Sequence, residues 1–218
     1  MTFAAIIFDC DGVLVDSEVL SVRGERRVLA EHGIDYSMED FVRRFVGLHD
    51  DAFYAALRED YRKTHDRDAP SGFEDEVLDG RRQEMKALTI VNGADRAMQA
   101  HDTIAVASSS RAHFLESKLK RMSLWHLAAP HVYSADLVAN GKPAPDIFLY
   151  TAEKLGVAPI DCLVVEDSEN GVRAGCAAGM TVIGFTGGGH CFDGHDQRLL
   201  KAGAAKIATD FDHFLELI

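Results

Sequence analysis

The sequence predicts an α/β fold, a doubly wound parallel sheet with a helical domain inserted after its first strand. Three observations carry this reading. Short apolar runs rich in Val, Ile and Ala recur: FAAIIF (3–8), TIAVA (103–107), CLVV (162–165), TVIGF (181–185) and the weaker KIAT (206–209). None of them alternates polar with apolar residues, which marks strands covered on both faces. Helical patterns separate the later runs, as βαβ units require.

The first run ends in FDCDGVLVDSE, residues 8–18, so a buried strand stops at closely spaced carboxylates. Four helical stretches follow: SEVLSVRGERRVLAEHG, SMEDFVRRFVG, DDAFYAALREDYRKTH and EDEVLDGRRQEMKAL. Ser37 and Asp40 form a capping box at the start of the second. DRDAPSG (66–72) is the one flexible loop among them. About 70 residues of helix are too many for a single crossover. They are expected to form a separate helical domain, residues 17–87, with 1–16 and 88–218 building the sheet domain. Phe41, Phe45, Phe53 and Tyr54 fall at helical spacing and belong to the core of that helical domain. Beyond TIAVA, RAHFLESKLKRM reads as helix. PDIFLYTAEKLG places Pro145 at a first helical position and Gly156 just past the end. SENGVRAGCAAG has Ser168 as N-cap and Gly179 as the stop.

With 218 residues, 47% of them apolar, the chain can bury a substantial core and is not expected to be disordered. Its net charge of −12 argues against nucleic acid or an anionic membrane as partner. The four cysteines include no CxxC pair; Cys10, Cys162 and Cys176 lie in apolar or small-residue runs and are expected in the core. The N-terminal stretch has no basic region, and its apolar run stops at an aspartate. Neither a signal peptide nor a membrane span is expected, which points to the cytoplasm. A monomer or small homo-oligomer is the expected assembly, though nothing in the sequence fixes it.

Ligands of open α/β sheets bind beyond the carboxyl ends of the strands. Polar residues collect at those ends here. Asp9 and Asp11 follow the first run; Ser108, Ser109 and Ser110 follow the second; Glu166 and Asp167 follow CLVV; Lys142 precedes the Pro145 helix. Several carboxylates in one crevice repel each other unless a cation joins them. Hard oxygen ligands favour Mg²⁺. A lysine and small hydroxyls beside that ion make a phosphate cradle, and a carboxylate aimed at phosphorus can act as nucleophile. GGGHCFDGH (187–195) also gathers His190, Cys191, Asp193 and His195. With no paired motif elsewhere, it is expected to be a glycine-rich surface loop, one whose place after the strand TVIGF would let it rim the active site.

FDCDGVLVDSE, VASSSR, GKPAPDIF and VVEDSENGVRAGCAAG, in this order, resemble the four motifs of the haloacid dehalogenase-like phosphohydrolases. The branch resembled has a helical cap after the first strand and holds β-phosphoglucomutase and small-molecule phosphatases. The resemblance implies a Rossmann-like core and a role for each matching residue. Asp9 is the nucleophile and a Mg²⁺ ligand, and Asp11 is the acid and base, with its backbone carbonyl on the metal. Ser108 binds the phosphoryl oxygens, Lys142 offsets their charge, and Glu166 and Asp167 hold Mg²⁺, with Asp167 the more direct ligand. Gly12 permits the turn. Because Asp11 is present, the implied substrate is a phosphate ester of a small metabolite, such as a sugar or sugar-acid phosphate. Ser109, Ser110, Arg111, His49 and Asp50 are the candidates for substrate contacts. A hexose-phosphate mutase is the competing reading. It is disfavoured because Ser21 and Asp50 stand where the mutase pattern has a histidine and an arginine. A non-catalytic phospho-acceptor domain is disfavoured by the helical insert.

Overall fold

The computed structural model describes residues 3–45 and 50–218. The chain divides into two compact units, Met1–Asp16 with Thr89–Ile218, and Ser17–Leu88. The first unit is built on six strands: β1 (Ala5–Phe8), β2 (Ile104–Ser108), β3 (Val132–Ser134), β4 (Cys162–Glu166), β5 (Thr181–Phe185) and β6 (Lys206–Ala208). They form one parallel sheet in the order β3-β2-β1-β4-β5-β6. β1 pairs with β2 on one side, Ile6 opposite Ile104, and with β4 on the other, Ile6 opposite Leu163. The winding therefore reverses at β1, and the crevice between β1 and β4 is the topological switch point.

The helices of the second unit are α1 (Ser17–Glu31), α2 (Met38–Phe45), α3 (Asp50–His65) and α4 (Phe73–Glu84). Those of the first are α5 (Ala94–Gln99), α6 (Ala112–Arg121), α7 (Trp125–Ala128), α8 (Asp146–Leu155), α9 (Glu169–Ala177), α10 (His195–Ala202) and α11 (Phe211–Leu217).

The strand runs lack alternation because both faces of the sheet are covered. Ala5, Ile7, Ala105, Ala107 and Val164 pack with Phe148 of α8 and Val172 and Ala174 of α9. On the other face Phe8 lies 5.9 Å, centroid to centroid, from Phe214 of α11, and Phe185 lies 4.5 Å from Phe211. Strand β3 had no counterpart among the apolar runs. It is a three-residue edge strand, VYS, whose Val132 and Tyr133 are only partly buried. Helix ends follow local chemistry. Ser168 Oγ accepts from the Gly171 N–H at 3.0 Å, and Gly156 closes α8 in the left-handed region at φ 68°. Pro145 sits at the N-cap of α8, one position earlier than its expected place. Cys176 corrects another expectation: it is exposed. Helix α9 turns Gly171, Val172, Ala174 and Gly175 inward, so position 176 falls on its outer face.

In the second unit Phe41, Phe45, Phe53, Leu57, Tyr61, Phe73 and Val77 are buried. The Phe41 and Phe45 rings lie 4.7 Å apart, and Tyr54 is only half-buried. Ser37 Oγ accepts from the Asp40 N–H at 3.0 Å, which caps α2. His49 lies outside the described residues, and so does the side chain of Asp50. The two segments by which the chain leaves and rejoins the sheet unit run side by side. Asp16 N donates to Thr89 O (3.1 Å) and Val91 N to Leu14 O (3.0 Å), around a Val15–Ile90 bridge. No helix of the described residues is long and apolar enough to cross a membrane.

Candidate active site

The switch point holds a buried charge cluster. Asp9 leaves β1 with its N–H donating to Val165 O of β4 at 3.0 Å, so its side chain begins where two central strands end. Lys142 Nζ donates to Asp9 Oδ1 (2.6 Å), Glu166 Oε1 (2.6 Å) and Ala107 O (3.0 Å), using all three of its protons. The second oxygen of Glu166, Oε2, accepts from Ser168 N (3.0 Å) and Ser168 Oγ (2.9 Å). Asp167 follows at once. One carboxylate oxygen from each of Asp9, Glu166 and Asp167 lies within 4.8 Å of the other two. All three residues and Lys142 are buried.

Three buried carboxylates meet one lysine ammonium here, and the His190 ring, raised to about 11 against its burial by hydrogen bonds to Asp167 and Cys191, adds positive charge at Asp167, which leaves anionic oxygen still in excess. Burial pushes the Asp9 carboxyl well above its usual range; Lys142 opposes this, while Glu166, Asp167 and Asp11 add to it. Lys142 resists the same burial because Asp9 and Glu166 hold it charged, above its ordinary value. The surplus of buried anionic oxygen is the local chemistry that a hard divalent cation such as Mg²⁺ fits.

A second cluster adjoins the first. Ser110 Oγ donates to Asp11 Oδ2 at 2.7 Å, and Lys118 Nζ donates both to Asp11 Oδ1 and to Ser110 Oγ, the latter at 2.9 Å. Burial works against the Lys118 charge, but the Asp11 carboxylate outweighs it and raises the lysine above its ordinary value. Ser108, also buried, accepts from the Ser110 N–H at 3.0 Å, which folds the serine turn toward Asp11. Ser134, from the unforeseen strand β3, donates to Ser110 O at 2.7 Å and braces that turn. Ser109 and Arg111 are exposed, at the mouth of the turn into α6.

Lys118 was absent from the sequence-based candidates. A signal existed: it stands between Leu115 and Leu119, both buried in α6, so a cation occupies the helix's inward side. Losing one charge-assisted hydrogen bond costs about 1.5–3 kcal/mol. Lys118→Met is therefore expected to lower kcat roughly 10- to 100-fold with little change in KM. Steady-state kinetics check this, and Lys118→Arg should restore part of the loss.

Gly12 explains how the two clusters meet. Its φ of 78° lies in the left-handed region, and a Cβ there would stand 1.8 Å from Asp167 Oδ2. No side chain can occupy the position without moving that carboxylate. Gly12→Ala should cost about 1–3 kcal/mol of stability from backbone strain alone. It should also disable the site, and thermal unfolding paired with an activity assay reads both effects.

The 187–195 segment is more than a surface loop. Gly189 N donates to Asp16 Oδ1 at 3.0 Å, which ties the loop to the exit of β1. His190 and His195 are both buried. His190 Nε2 lies 3.0 Å from Asp167 Oδ2, and His195 Nε2 lies 2.6 Å from Asp167 O. The two histidines thus grip the aspartate from side chain and backbone. Asp193 is exposed and takes no part.

A family model for haloacid dehalogenase-like hydrolases matches residues 3–179. The chain belongs to this family. Among relatives of these hydrolases, the Phosphorylated carbohydrates phosphatase of Thermotoga maritima is 33% identical, with 93% of each chain covered. The chain also matches part of a far longer protein, SUPPRESSOR OF QUENCHING 1, chloroplastic, of Arabidopsis thaliana. It is 35% identical over 83% of this chain but spans only 17% of that protein. It likewise spans 48% of the Bifunctional riboflavin kinase/FMN phosphatase of the same plant, at 30% identity over 83% of this chain. A haloacid dehalogenase family hydrolase from Deinococcus radiodurans R1, solved with bound phosphate and sodium, superposes with a TM-score of 0.86. It is 33% identical over 97% of this chain and 93% of that one.

Proposed function

We propose that this hydrolase is a Mg²⁺-dependent phosphatase of small phosphorylated metabolites, phosphorylated carbohydrates first among them, working through a phosphoryl group carried on Asp9. The observation that carries the reading is the Lys142 bridge. One buried ammonium locks Asp9 and Glu166 beside Asp167, next to an Asp11 held by Ser110 and Lys118. A carboxylate fixed in this way can attack phosphorus, and a second one beside it can move the proton. The name of the Thermotoga maritima relative, Phosphorylated carbohydrates phosphatase, supports the substrate class.

Asp9 and Asp167, with the Asp11 backbone carbonyl, would hold the metal; Glu166 is within reach, but both its oxygens already serve Lys142 and Ser168. When bound, the ion supplies positive charge that lets the buried carboxylates coexist with a phosphate dianion. In the first step an oxygen of Asp9 attacks phosphorus. The bond from phosphorus to the ester oxygen breaks, and Asp11 gives that oxygen its proton. In the second step Asp11 takes a proton from water, which attacks phosphorus and breaks its bond to Asp9. Inorganic phosphate leaves, and Asp9 is regenerated with Asp11 protonated. Ser108 and Lys142 stabilise the charge on the transferring oxygens throughout. Specificity in this reading comes from the 17–88 unit, with His49 and Asp50 as its contact residues, and from Ser109 and Arg111 at the serine turn.

A panel of phosphorylated metabolites assayed with Mg²⁺ tests the reading. Phosphate release from sugar or sugar-acid phosphates, lost in EDTA, is the expected result. Interconversion of glucose 1- and 6-phosphate without phosphate release would replace it with a mutase.

A further inference from the structure

Lys142 donates to Asp9 and Glu166 but not to Asp167, whose side chain is held from another direction. His190 Nε2, 3.0 Å from Asp167 Oδ2, is the one polar partner of that carboxylate among the described residues. The ring sits in a slot that two glycines leave open. A Cβ on Gly12 would stand 2.7 Å from His190 Cε1, and one on Gly188 would stand 2.9 Å from His190 Nδ1. His190 is 2% exposed, and its Nδ1 has no hydrogen-bond partner among the described residues. A buried orphan nitrogen works against stability, so the ring is not placed to satisfy itself. The loop is also anchored without it. Gly189 N donates to Asp16 Oδ1 at 3.0 Å, Cys191 N donates to Gly188 O at 3.1 Å, and His195 Nε2 meets Asp167 O at 2.6 Å. The other neighbour of His190 Nε2, Cys191 Sγ at 3.7 Å, is the weaker acceptor. What the ring adds is its contact with Asp167 Oδ2.

We propose that His190 is a positioning residue of the phosphatase site: it donates to one oxygen of Asp167, sets the rotation of that carboxylate, and leaves the other oxygen for Mg²⁺. The terminal torsion of an aspartate is broad, and like charge on Asp9 and Glu166 pushes the Asp167 carboxylate away from the crevice. Mg²⁺ demands near-ideal octahedral geometry, so a ligand oxygen fixed before the ion arrives binds it better than one the ion must order. A hydrogen bond to the second oxygen supplies that order, as outer partners of metal ligands commonly do. The inference rests on the Mg²⁺ site proposed above.

The test compares three variants of the full chain, none of which carries the charge of the ring. His190→Gln keeps a donor at about the same reach, His190→Phe fills the slot without one, and His190→Asn keeps the amide one methylene short. Mg²⁺ binding is measured by calorimetry without substrate, and thermal unfolding shows which variants fold. His190→Gln is expected to bind Mg²⁺ about 10- to 100-fold more tightly than His190→Phe and His190→Asn, the range for losing an outer partner of a metal ligand. In the phosphatase assay the half-saturating Mg²⁺ concentration should rise by the same factor, while kcat at saturating Mg²⁺ changes far less. Should His190→Phe fail to fold, the comparison of His190→Gln with His190→Asn decides. Equal Mg²⁺ affinity of His190→Gln and the folded donor-less variants overturns the inference, as does a loss confined to kcat. Absence of Mg²⁺ binding in wild type would overturn the metal reading and the inference with it, whereas wild-type binding with no difference among the variants overturns the inference alone.

Discussion

Asp9→Asn is expected to abolish phosphatase turnover, by on the order of 10⁴-fold or more, the scale of deleting a covalent nucleophile. The uncatalysed reaction is slow enough that accelerations up to about 10²¹-fold are at stake, so losing the covalent route cannot be masked by residual electrostatics. The fold should survive. Asparagine keeps an oxygen that can accept from Lys142 Nζ, as Asp9 Oδ1 does at 2.6 Å. It also removes a charge that burial and three neighbouring carboxylates disfavour. The sign follows from linkage. A carboxyl whose folded-state value is raised binds its proton more tightly when folded, so its contribution to stability declines as pH rises past the unfolded value of about 4. Without Mg²⁺, Asp9→Asn should therefore match or exceed wild type in thermal stability at neutral pH, and lose less of it between pH 4 and neutrality. Differential scanning across pH, alongside the activity assay, separates a lost nucleophile from a lost fold.

Lys142→Met should damage both activity and folding. Its ammonium is the shared counter-charge of Asp9 and Glu166, and all three side chains are buried. Removing one partner of a buried ion pair costs about 3–5 kcal/mol, because the remaining charge is left uncompensated. Methionine fills much of the volume and keeps contact with Phe148, whose ring centre lies 4.9 Å from Nζ, so the loss should be electrostatic rather than a packing defect. Unfolding by urea is expected to show that loss without Mg²⁺ and a clear recovery with it, larger than the Mg²⁺ effect on wild type. Turnover should fall by roughly 10²–10³-fold even with Mg²⁺ present, since the fixed positive charge that positions Asp9 and offsets the transferring group has gone. Equal stability of the variant and wild type without Mg²⁺ would contradict the charge balance assigned to this crevice.

The parts of the molecule that could be read from sequence are those in which chemistry sits next to a strong local signal. Asp9, Glu166 and Asp167 follow uninterrupted apolar runs, and in a parallel sheet those runs all end at one edge. Strand β3 escaped because three partly buried residues at a sheet edge produce no apolar run. Lys118 and His190 escaped for a different reason. Their roles depend on long-range approach: Lys118 reaches Asp11 from 107 positions away, and His190 reaches Asp167 from a loop beyond the next strand. Local spacing could mark Lys118 as a cation beside buried leucines and His190 as part of GGGHCFDGH, but it could not show the partner that either reaches. Cys176 was misplaced because residues on opposite faces of a short helix can share the same small-residue composition. Gly12 could be recognised as a turn residue, but that its missing side chain leaves room for Asp167 is visible only in three dimensions.

The most direct test of the central claim is to trap the phosphoryl group. The enzyme is mixed with Mg²⁺ and a turned-over sugar phosphate, quenched in acid during the first turnover, digested, and weighed peptide by peptide. The expected result is one phosphoryl group on the peptide that contains Asp9, absent from Asp9→Asn. Phosphate release by Asp9→Asn at the wild-type rate, with no phosphorylated peptide in either protein, would contradict it.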